Sequence, residues 1–100
     1  MKTCDFIDEL KAAYGLTSDY QAAKKLGIST TTISSYRAGR SFLSDDIALK
    51  IAHLLDVEPL LVLACVNAER HLKSGSEEVF SFWVNLAESQ LSKNVNLSAA

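Results

Sequence analysis

Apolar residues recur at intervals of three and four along most of the chain, and no segment alternates apolar and polar positions as a half-buried strand does. The spacing of Phe6, Leu10 and Tyr14 predicts a first helix, with Thr3 as its N-cap and Gly15 at its end. The same periodicity continues to about residue 91. We therefore predict an all-α fold.

Serines and glycines mark the boundaries of the next three helices. Ser18, Ser29 and Ser44 each precede an apolar periodic segment, where a hydroxyl oxygen can accept hydrogen bonds from the free N–H groups of a first turn. Gly27 and Gly39 follow the second and third segments, as glycine commonly does at a helix end. The second and third helices are predicted to be short and to lie directly next to each other in the chain.

A fifth helix is predicted to begin at Pro59, because proline suits the first helical position. It is apolar on most of its circumference through Val66 and extends to about Lys73. A helix with so little polar surface must be buried on more than one side.

A last helix is predicted after the Ser-Gly-Ser break at residues 74–76, with Ser76 as its N-cap. We expect a compact five-helix bundle over residues 1–73, a C-terminal amphipathic helix over 74–93 and a frayed tail over 94–100. The wide apolar stripe of the last helix consists of Val79, Phe80, Trp83, Leu86, Ala87 and Leu91.

The second and third helices have the spacing of a helix-turn-helix. Gly27 accepts the positive φ that a tight turn between two helices needs. Ala23, four residues earlier, is small enough for the two helices to cross closely, and Ile28 fills the space beneath the turn. Ile33 and Tyr36, three residues apart, hold the third helix against the core.

With its Ser-capped following helix, the segment SDYQAAKKLGISTTTISSYRAGR resembles the helix-turn-helix of phage repressor and Cro proteins and of the wider Xre-like regulators. The resemblance covers about residues 3–59, and the part from Pro59 onward is similar to a small group of phage-related regulators. It implies a lambda-repressor-like bundle that binds operator DNA as a dimer and controls transcription. Two positions depart from the family pattern: Asp19 stands where glutamine is frequent, and Arg37 where glutamate is frequent.

The predicted DNA contacts lie on and around the third helix, whose N-terminal part would enter the major groove. Thr30, Thr31 and Ser34 are predicted to point outward, where their hydroxyl groups can donate to or accept from base edges and the threonine methyl groups can pack on thymine methyl groups. Basic side chains and the capped helix start would contact phosphates. The candidate DNA-binding residues are Lys24, Lys25, Ser29, Thr30, Thr31, Ser34, Ser35, Arg37, Arg40 and Ser41.

The charge of the chain supports DNA binding only in the segment that contains the second and third helices. The chain has a net charge of −2, unlike a nonspecific nucleic-acid coat. Residues 11–41, however, contain five bases and one acid, a balance of +4, whereas residues 42–100 contain four bases and eight acids, a balance of −4. A basic segment in an acidic chain can steer one face toward phosphate.

Several alternatives stay open from the sequence. The three threonines could be a solvated helix face, and the last helix could fold back on the fifth instead of forming a homodimer through Val79, Phe80, Trp83 and Leu86. The scaffold could also serve a protein-binding module, such as an antitoxin or an anti-activator.

Other classes find no support in the sequence. No nucleophile–base pair, metal-ligand spacing or phosphate loop is present, so we predict no enzyme activity, no metal and no cofactor. Neither Cys4 nor Cys65 lies in a metal-binding pattern, and no apolar run is long enough to span a bilayer. We predict a cytoplasmic protein whose partners are double-stranded operator DNA and a second copy of itself, with no small-molecule ligand evident.

Overall fold

Six helices make up the part of the chain that the computed structural model describes, residues 1–72 and 76–92. No strand occurs in these ranges, and the all-α prediction is confirmed. The predicted tail, residues 94–100, lies outside the described residues. The helices are α1 (Thr3–Tyr14), α2 (Asp19–Leu26), α3 (Thr30–Arg37), α4 (Asp45–Leu55), α5 (Pro59–Arg70) and α6 (Glu77–Leu91).

Serine caps begin four of these helices, as predicted. The side chains of Ser18, Ser29, Ser44 and Ser76 each accept a hydrogen bond from the backbone N–H three residues later. Each bond satisfies one of the donors that the first turn of a helix leaves without an intrahelical partner. These short-range bonds explain why the helix starts could be located from the sequence.

The prediction that Thr3 caps α1 is wrong. The N-cap is Lys2, whose backbone N–H donates to a carboxylate oxygen of Asp5 at 2.8 Å. Thr3 is instead fully buried, and its hydroxyl donates to Glu69 Oε1 at 2.6 Å and accepts from the backbone N–H of Leu43 at 3.3 Å. Thr3 therefore joins α1 to α5 and to the segment before α4.

The core lies between α1 and the four helices that follow it. α1 contacts α2, α3 and α4, while α5 packs on α4. Because each helix contributes one apolar face, the first five helices bury a continuous cluster. Its buried members are Phe6, Ile7, Leu10, Ala22, Ala23, Leu26, Ile33, Tyr36, Leu43, Ala48, Ile51, Ala52, Leu55, Val57, Leu61, Val62, Cys65 and Val66.

α5 and α6 differ in how much of their surface is covered. α5 lies between α4 and α6 and buries six residues, as its apolar circumference predicted. It ends at Arg70, earlier than expected, and Lys73 lies outside the described residues. α6 packs mainly against α5, and no residue of it is fully buried. A long apolar helix is thus attached to the bundle along one side.

Candidate nucleic-acid interface

The turn between α2 and α3 has the conformation that the sequence predicts. Gly27 has φ +72°, in the left-handed region that favours glycine, and its N–H donates to the carbonyl of Lys24 at 3.2 Å. The N–H of Ile28 donates to the carbonyl of Ala23 at 3.0 Å, while Ala23 is buried and Ile28 half-buried against the core. The turn fixes the start of α3 relative to α2.

Lys50 of α4 also stabilises this turn, a contact that the sequence did not indicate. Its Nζ donates to the carbonyl of Leu26, the last residue of α2, at 2.9 Å. A cation at this position offsets the negative end of the helix dipole. The two residues are 24 positions apart, and no local spacing rule connects positions that distant.

The buried side of α3 is held in three places. Ser29 Oγ accepts a hydrogen bond from the N–H of Thr32 at 3.1 Å and lies 2.9 Å from the Thr32 hydroxyl. Ile33 and Tyr36 are buried, and burial raises the pKa of the Tyr36 phenol. Of the three consecutive threonines, Thr32 therefore belongs to the helix cap rather than to the outer face.

The outer side of α3 presents hydroxyl groups. Thr30, Thr31 and Ser34 are exposed, and their side chains have no hydrogen-bond partner among the described residues. Ser35 is half-buried. Three unengaged hydroxyls on one side of a short helix can each both donate and accept a hydrogen bond. The structure thus brings together the three residues that the sequence predicts to meet base edges.

Arg40 and Ser41 follow α3 in the segment that leads to α4. Gly39, with φ +74°, turns the chain after α3, and the backbone N–H of Arg40 donates to the carbonyl of Ser35 at 2.9 Å. Arg40 is exposed, and its guanidinium has no partner among the described residues, while Ser41 is half-buried. A cation that is not paired within its own fold remains available to a phosphate.

Lys24 and Lys25, the predicted phosphate contacts on α2, both lie over aromatic rings. Lys25 Nζ is 4.1 Å from the centroid of Tyr14, and Lys24 Nζ is 5.6 Å from that of Tyr20. The Tyr14 hydroxyl donates to the carbonyl of Leu54 at 2.7 Å, so Lys25 lies near the C-terminal ends of α1 and α4. No contact among the described residues joins Lys25 to the hydroxyl groups of α3.

Arg37, the last residue of α3, forms an ion-pair cluster with Asp8, Asp19 and Lys11. Its Nε and Nη2 donate to the two carboxylate oxygens of Asp19 at 3.0 and 2.9 Å, and Nη2 also donates to Asp8 at 2.8 Å. Lys11 Nζ approaches the same Asp19 carboxylate at 3.1 Å. The cluster joins α1, α2 and α3, and it accounts for the two departures from the family pattern at positions 19 and 37.

The ion-pair cluster changes the electrostatics at the start of α2. Hydrogen bonds from Arg37, with a smaller contribution from Lys11, lower the pKa of Asp19 to about 2. The same carboxylates raise the pKa of the Arg37 guanidinium. Asp19 is the first residue of α2, whose N-cap is Ser18, so Asp19 acts as an ion-pair partner and not as the cap. Contact of Arg37 with DNA stays a prediction.

The four residues predicted for a dimer interface do not share one environment. Val79 is exposed, and Phe80, Trp83 and Leu86 are half-buried, but only Phe80 of the four lines a cavity of about 230 Å³ bounded by α5, α6 and the first two residues of the chain. Phe82, which the prediction left out, is 60% exposed and contacts Trp83 edge to face at 5.2 Å between ring centroids. The wide apolar stripe is thus two stripes, one of which covers α5 while the other faces solvent.

The sequence profile of the helix-turn-helix family matches residues 7–62, which is 56 of the 100 residues. The chain belongs to the helix-turn-helix family. The resemblance inferred from the turn between α2 and α3 is confirmed, and family membership gives this chain a helix-turn-helix DNA-binding domain.

A phage protein is similar to this helix-turn-helix protein. Gp-c of Pseudoalteromonas phage PM2, an uncharacterized protein, is 34% identical over 80 residues, which cover 79% of this chain and 87% of Gp-c. No solved structure matches the chain. The similarity extends beyond the family match and places a phage protein among the relatives.

Two further features of this helix-turn-helix protein concern other kinds of site. Within residues 1–72 and 76–92, no cluster of three or more His, Cys, Asp or Glu side chains could hold a metal ion. In the same ranges, no helix is long and apolar enough to cross a bilayer. Both cysteines are free thiols; Cys65 is buried, and burial raises the pKa of its thiol.

Proposed function

We propose that this helix-turn-helix protein is a sequence-specific regulator of transcription, of the repressor and Cro type and encoded by a prophage. The observation that carries this proposal is the set of unengaged hydroxyls of Thr30, Thr31 and Ser34, held outward by the buried Ile33 and Tyr36. Similarity to a phage protein supports the origin. The proposed site of action is the cytoplasm, without cofactor, small-molecule ligand or catalytic step.

In this proposal, the N-terminal half of α3 contacts the base edges. Thr30 and Thr31 each offer a hydroxyl and a methyl group, which suit a base edge and a thymine methyl respectively. A single hydroxyl discriminates less between bases than a bidentate arginine or glutamine does. Part of the specificity therefore comes from bridging water molecules and from the sequence-dependent shape of the DNA.

Phosphate contacts come from groups on both sides of the α3 hydroxyls. The N–H groups at the start of α3 and the unpaired guanidinium of Arg40 are the strongest candidates, with Ser41 and Ser35 beside them. Lys24 and Lys25 remain proposed contacts of longer reach. These groups position the protein without selecting sequence.

The proposed operator is palindromic, because a homodimer presents two copies of α3 related by a twofold axis. The two recognition helices would then lie about 34 Å apart, one turn of DNA. The dimer contact is proposed for the outer stripe of α6, where Val79, Phe82 and Trp83 leave apolar surface exposed or half-exposed.

Thr31→Ala tests the reading helix. We expect it to lower affinity for the operator by about fivefold, since one hydroxyl contact contributes about 1 kcal/mol, and to leave affinity for an arbitrary duplex unchanged. Lys25→Ala should instead weaken binding to both duplexes alike. Titrations monitored by fluorescence anisotropy measure both effects. Equal, sequence-independent losses in the two variants would show that α3 is not the reading helix.

The dimer contact has a closely matched control. Phe82→Ala removes an aromatic side chain that is 60% exposed on α6, and Tyr20→Ala removes one that is 59% exposed on α2. Sedimentation velocity should show that Phe82→Ala and Trp83→Ala dissociate the dimer and that Tyr20→Ala does not. A folded Phe82→Ala variant that remains dimeric would exclude the outer stripe of α6 as the contact.

A second candidate function is binding to another protein, as an antitoxin or an anti-activator does. The ion-pair cluster favours it, because Asp8 and Asp19 place carboxylates beside the end of α3 and neutralise Arg37. The salt dependence of DNA binding separates the two functions, since neutralised phosphates release counterions. Binding to DNA that does not respond to salt would favour the protein-binding module.

A further inference from the structure

The guanidinium of Arg37, the cationic group of α3, is already bound to carboxylates of the same chain. Arg37 is the one base of α3, and its Nε and both N–H groups of Nη2 are engaged by the carboxylates of Asp8 and Asp19. The contact with Asp19 uses two parallel hydrogen bonds, the geometry in which a guanidinium also binds a phosphate. Asp19 therefore occupies the edge of the guanidinium formed by Nε and Nη2, one of the edges at which a DNA phosphate can bind with two hydrogen bonds.

The cluster is also electrically neutral as a unit. Arg37 and Lys11 contribute two positive charges, and Asp8 and Asp19 contribute two negative charges. The balance of +4 in residues 11–41 already counts Asp19, and Asp8, which lies outside that range, lowers it to +3, the charge of Lys24, Lys25 and Arg40. Arg40 is left as the nearest base in sequence with no carboxylate partner among the described residues.

The Arg37 side chain is nevertheless accessible from solvent in the folded protein. Its side chain is 32% exposed, and Asp8 is 60% exposed, so the cluster lies at the surface rather than inside the core. The two N–H groups of Nη1 have no partner among the described residues. Surface ion pairs of this kind are weak enough to exchange partners.

We propose that Asp8 and Asp19 restrain Arg37 on its own fold and thereby withhold one phosphate contact, which lowers the affinity of the protein for DNA of any sequence. The effect is independent of sequence because a phosphate, not a base, is the competing ligand. The carboxylates thus set how strongly the protein binds nonspecific DNA relative to its operator. This inference rests on the proposed DNA-binding function.

A thermodynamic cycle tests the restraint. The first pair of proteins is the wild type and Asp8→Asn/Asp19→Asn, and the second pair carries the same two substitutions on an Arg37→Gln background. Each protein is titrated against a short duplex of arbitrary sequence, with potassium chloride varied from about 50 to 200 mM. Comparing the two pairs separates release of Arg37 from the general loss of two negative charges.

With Arg37 present, the two substitutions should steepen the dependence of log affinity on log salt by about 0.9 more than they do in its absence, as one added phosphate contact requires. The corresponding gain in affinity is about fivefold near 0.15 M salt. Glu77→Gln/Glu88→Gln removes two carboxylates from α6 and should not produce this gain. Equal changes in both backgrounds, or no change in either, would overturn the restraint.

The outcomes also separate this inference from the function on which it rests. If the wild type binds the duplex with a salt-dependent affinity and the cycle shows no dependence on Arg37, the restraint alone is wrong. If no protein in the cycle binds DNA, the proposed function fails and the restraint fails with it. Should the double variant not fold, Asp8→Asn alone, which removes one exposed carboxylate, must shift affinity in the same direction by a smaller factor.

Discussion

Replacing Asp19 with asparagine removes the carboxylate that Arg37 and Lys11 bind at distances of 2.9–3.1 Å. These contacts lower the pKa of Asp19 from 3.8 to about 2. At about 1.4 kcal/mol per pH unit, that shift corresponds to about 2.5 kcal/mol of folding free energy. The Asp19 side chain is 37% exposed, however, and solvent screening reduces the expected loss of stability to about 1 kcal/mol.

The loss should depend on pH in a defined direction. Because folding depresses the pKa of Asp19, its stabilising contribution is complete above the unfolded value of 3.8 and disappears as the pH falls toward about 2. Urea-induced unfolding followed by circular dichroism, repeated between neutral pH and the acid range, measures the difference between the wild type and Asp19→Asn. That difference should be about 1 kcal/mol at neutral pH and should fall toward zero as the pH drops through about 2.

Asp46→Asn is the matched control. Asp46 also lies in the first turn of a helix and is exposed, but it has no basic partner among the described residues. Its replacement should cost only the interaction of a carboxylate with the helix dipole, roughly 0.5 kcal/mol. If Asp19→Asn destabilises the protein no more than Asp46→Asn, or if its effect persists unchanged into strong acid, the ion-pair cluster does not stabilise the fold.

Two other substitutions probe contacts between distant segments. Thr3→Val keeps the side-chain volume but leaves the Glu69 carboxylate and the Leu43 N–H without the buried hydroxyl, so urea unfolding should show a loss of about 2 kcal/mol. An unchanged midpoint would show that this hydroxyl contributes nothing. Lys50→Met removes the hydrogen bond to the Leu26 carbonyl and should lower stability by about 1 kcal/mol in the same assay. A loss below about 0.3 kcal/mol would mean that the end of α2 is satisfied without it.

The features that could be predicted from the sequence depend on residues close together in the chain. A serine cap acts on an N–H three residues away, and a glycine acts on its own φ angle, so both can be located without tertiary information. The helix-turn-helix itself is of this kind, because Ala23, Gly27 and Ile33 lie within eleven positions of one another. The outward orientation of the α3 hydroxyl groups could be predicted from this helix-turn-helix spacing.

The features that the sequence did not indicate depend on distant partners. Arg37 binds carboxylates 18 and 29 positions earlier, so its charge could be counted but its pairing could not be foreseen. Thr3, which is suited to capping by type, is instead paired with Glu69, 66 positions away. Periodicity also could not divide the wide stripe of α6, because Val79 and Phe80 both fit it and only the position of α5 leaves Val79 exposed while Phe80 lines the cavity.

A footprint of the purified protein on the DNA upstream of its own gene tests the central claim most directly. We predict protection of two half-sites of inverted sequence whose centres are about one helical turn of DNA apart, with protection lost as salt is raised. Thr31→Ala should weaken this protection while leaving general binding intact. Protection that is absent, or spread evenly without preference for any sequence, would contradict the proposal that α3 selects an operator.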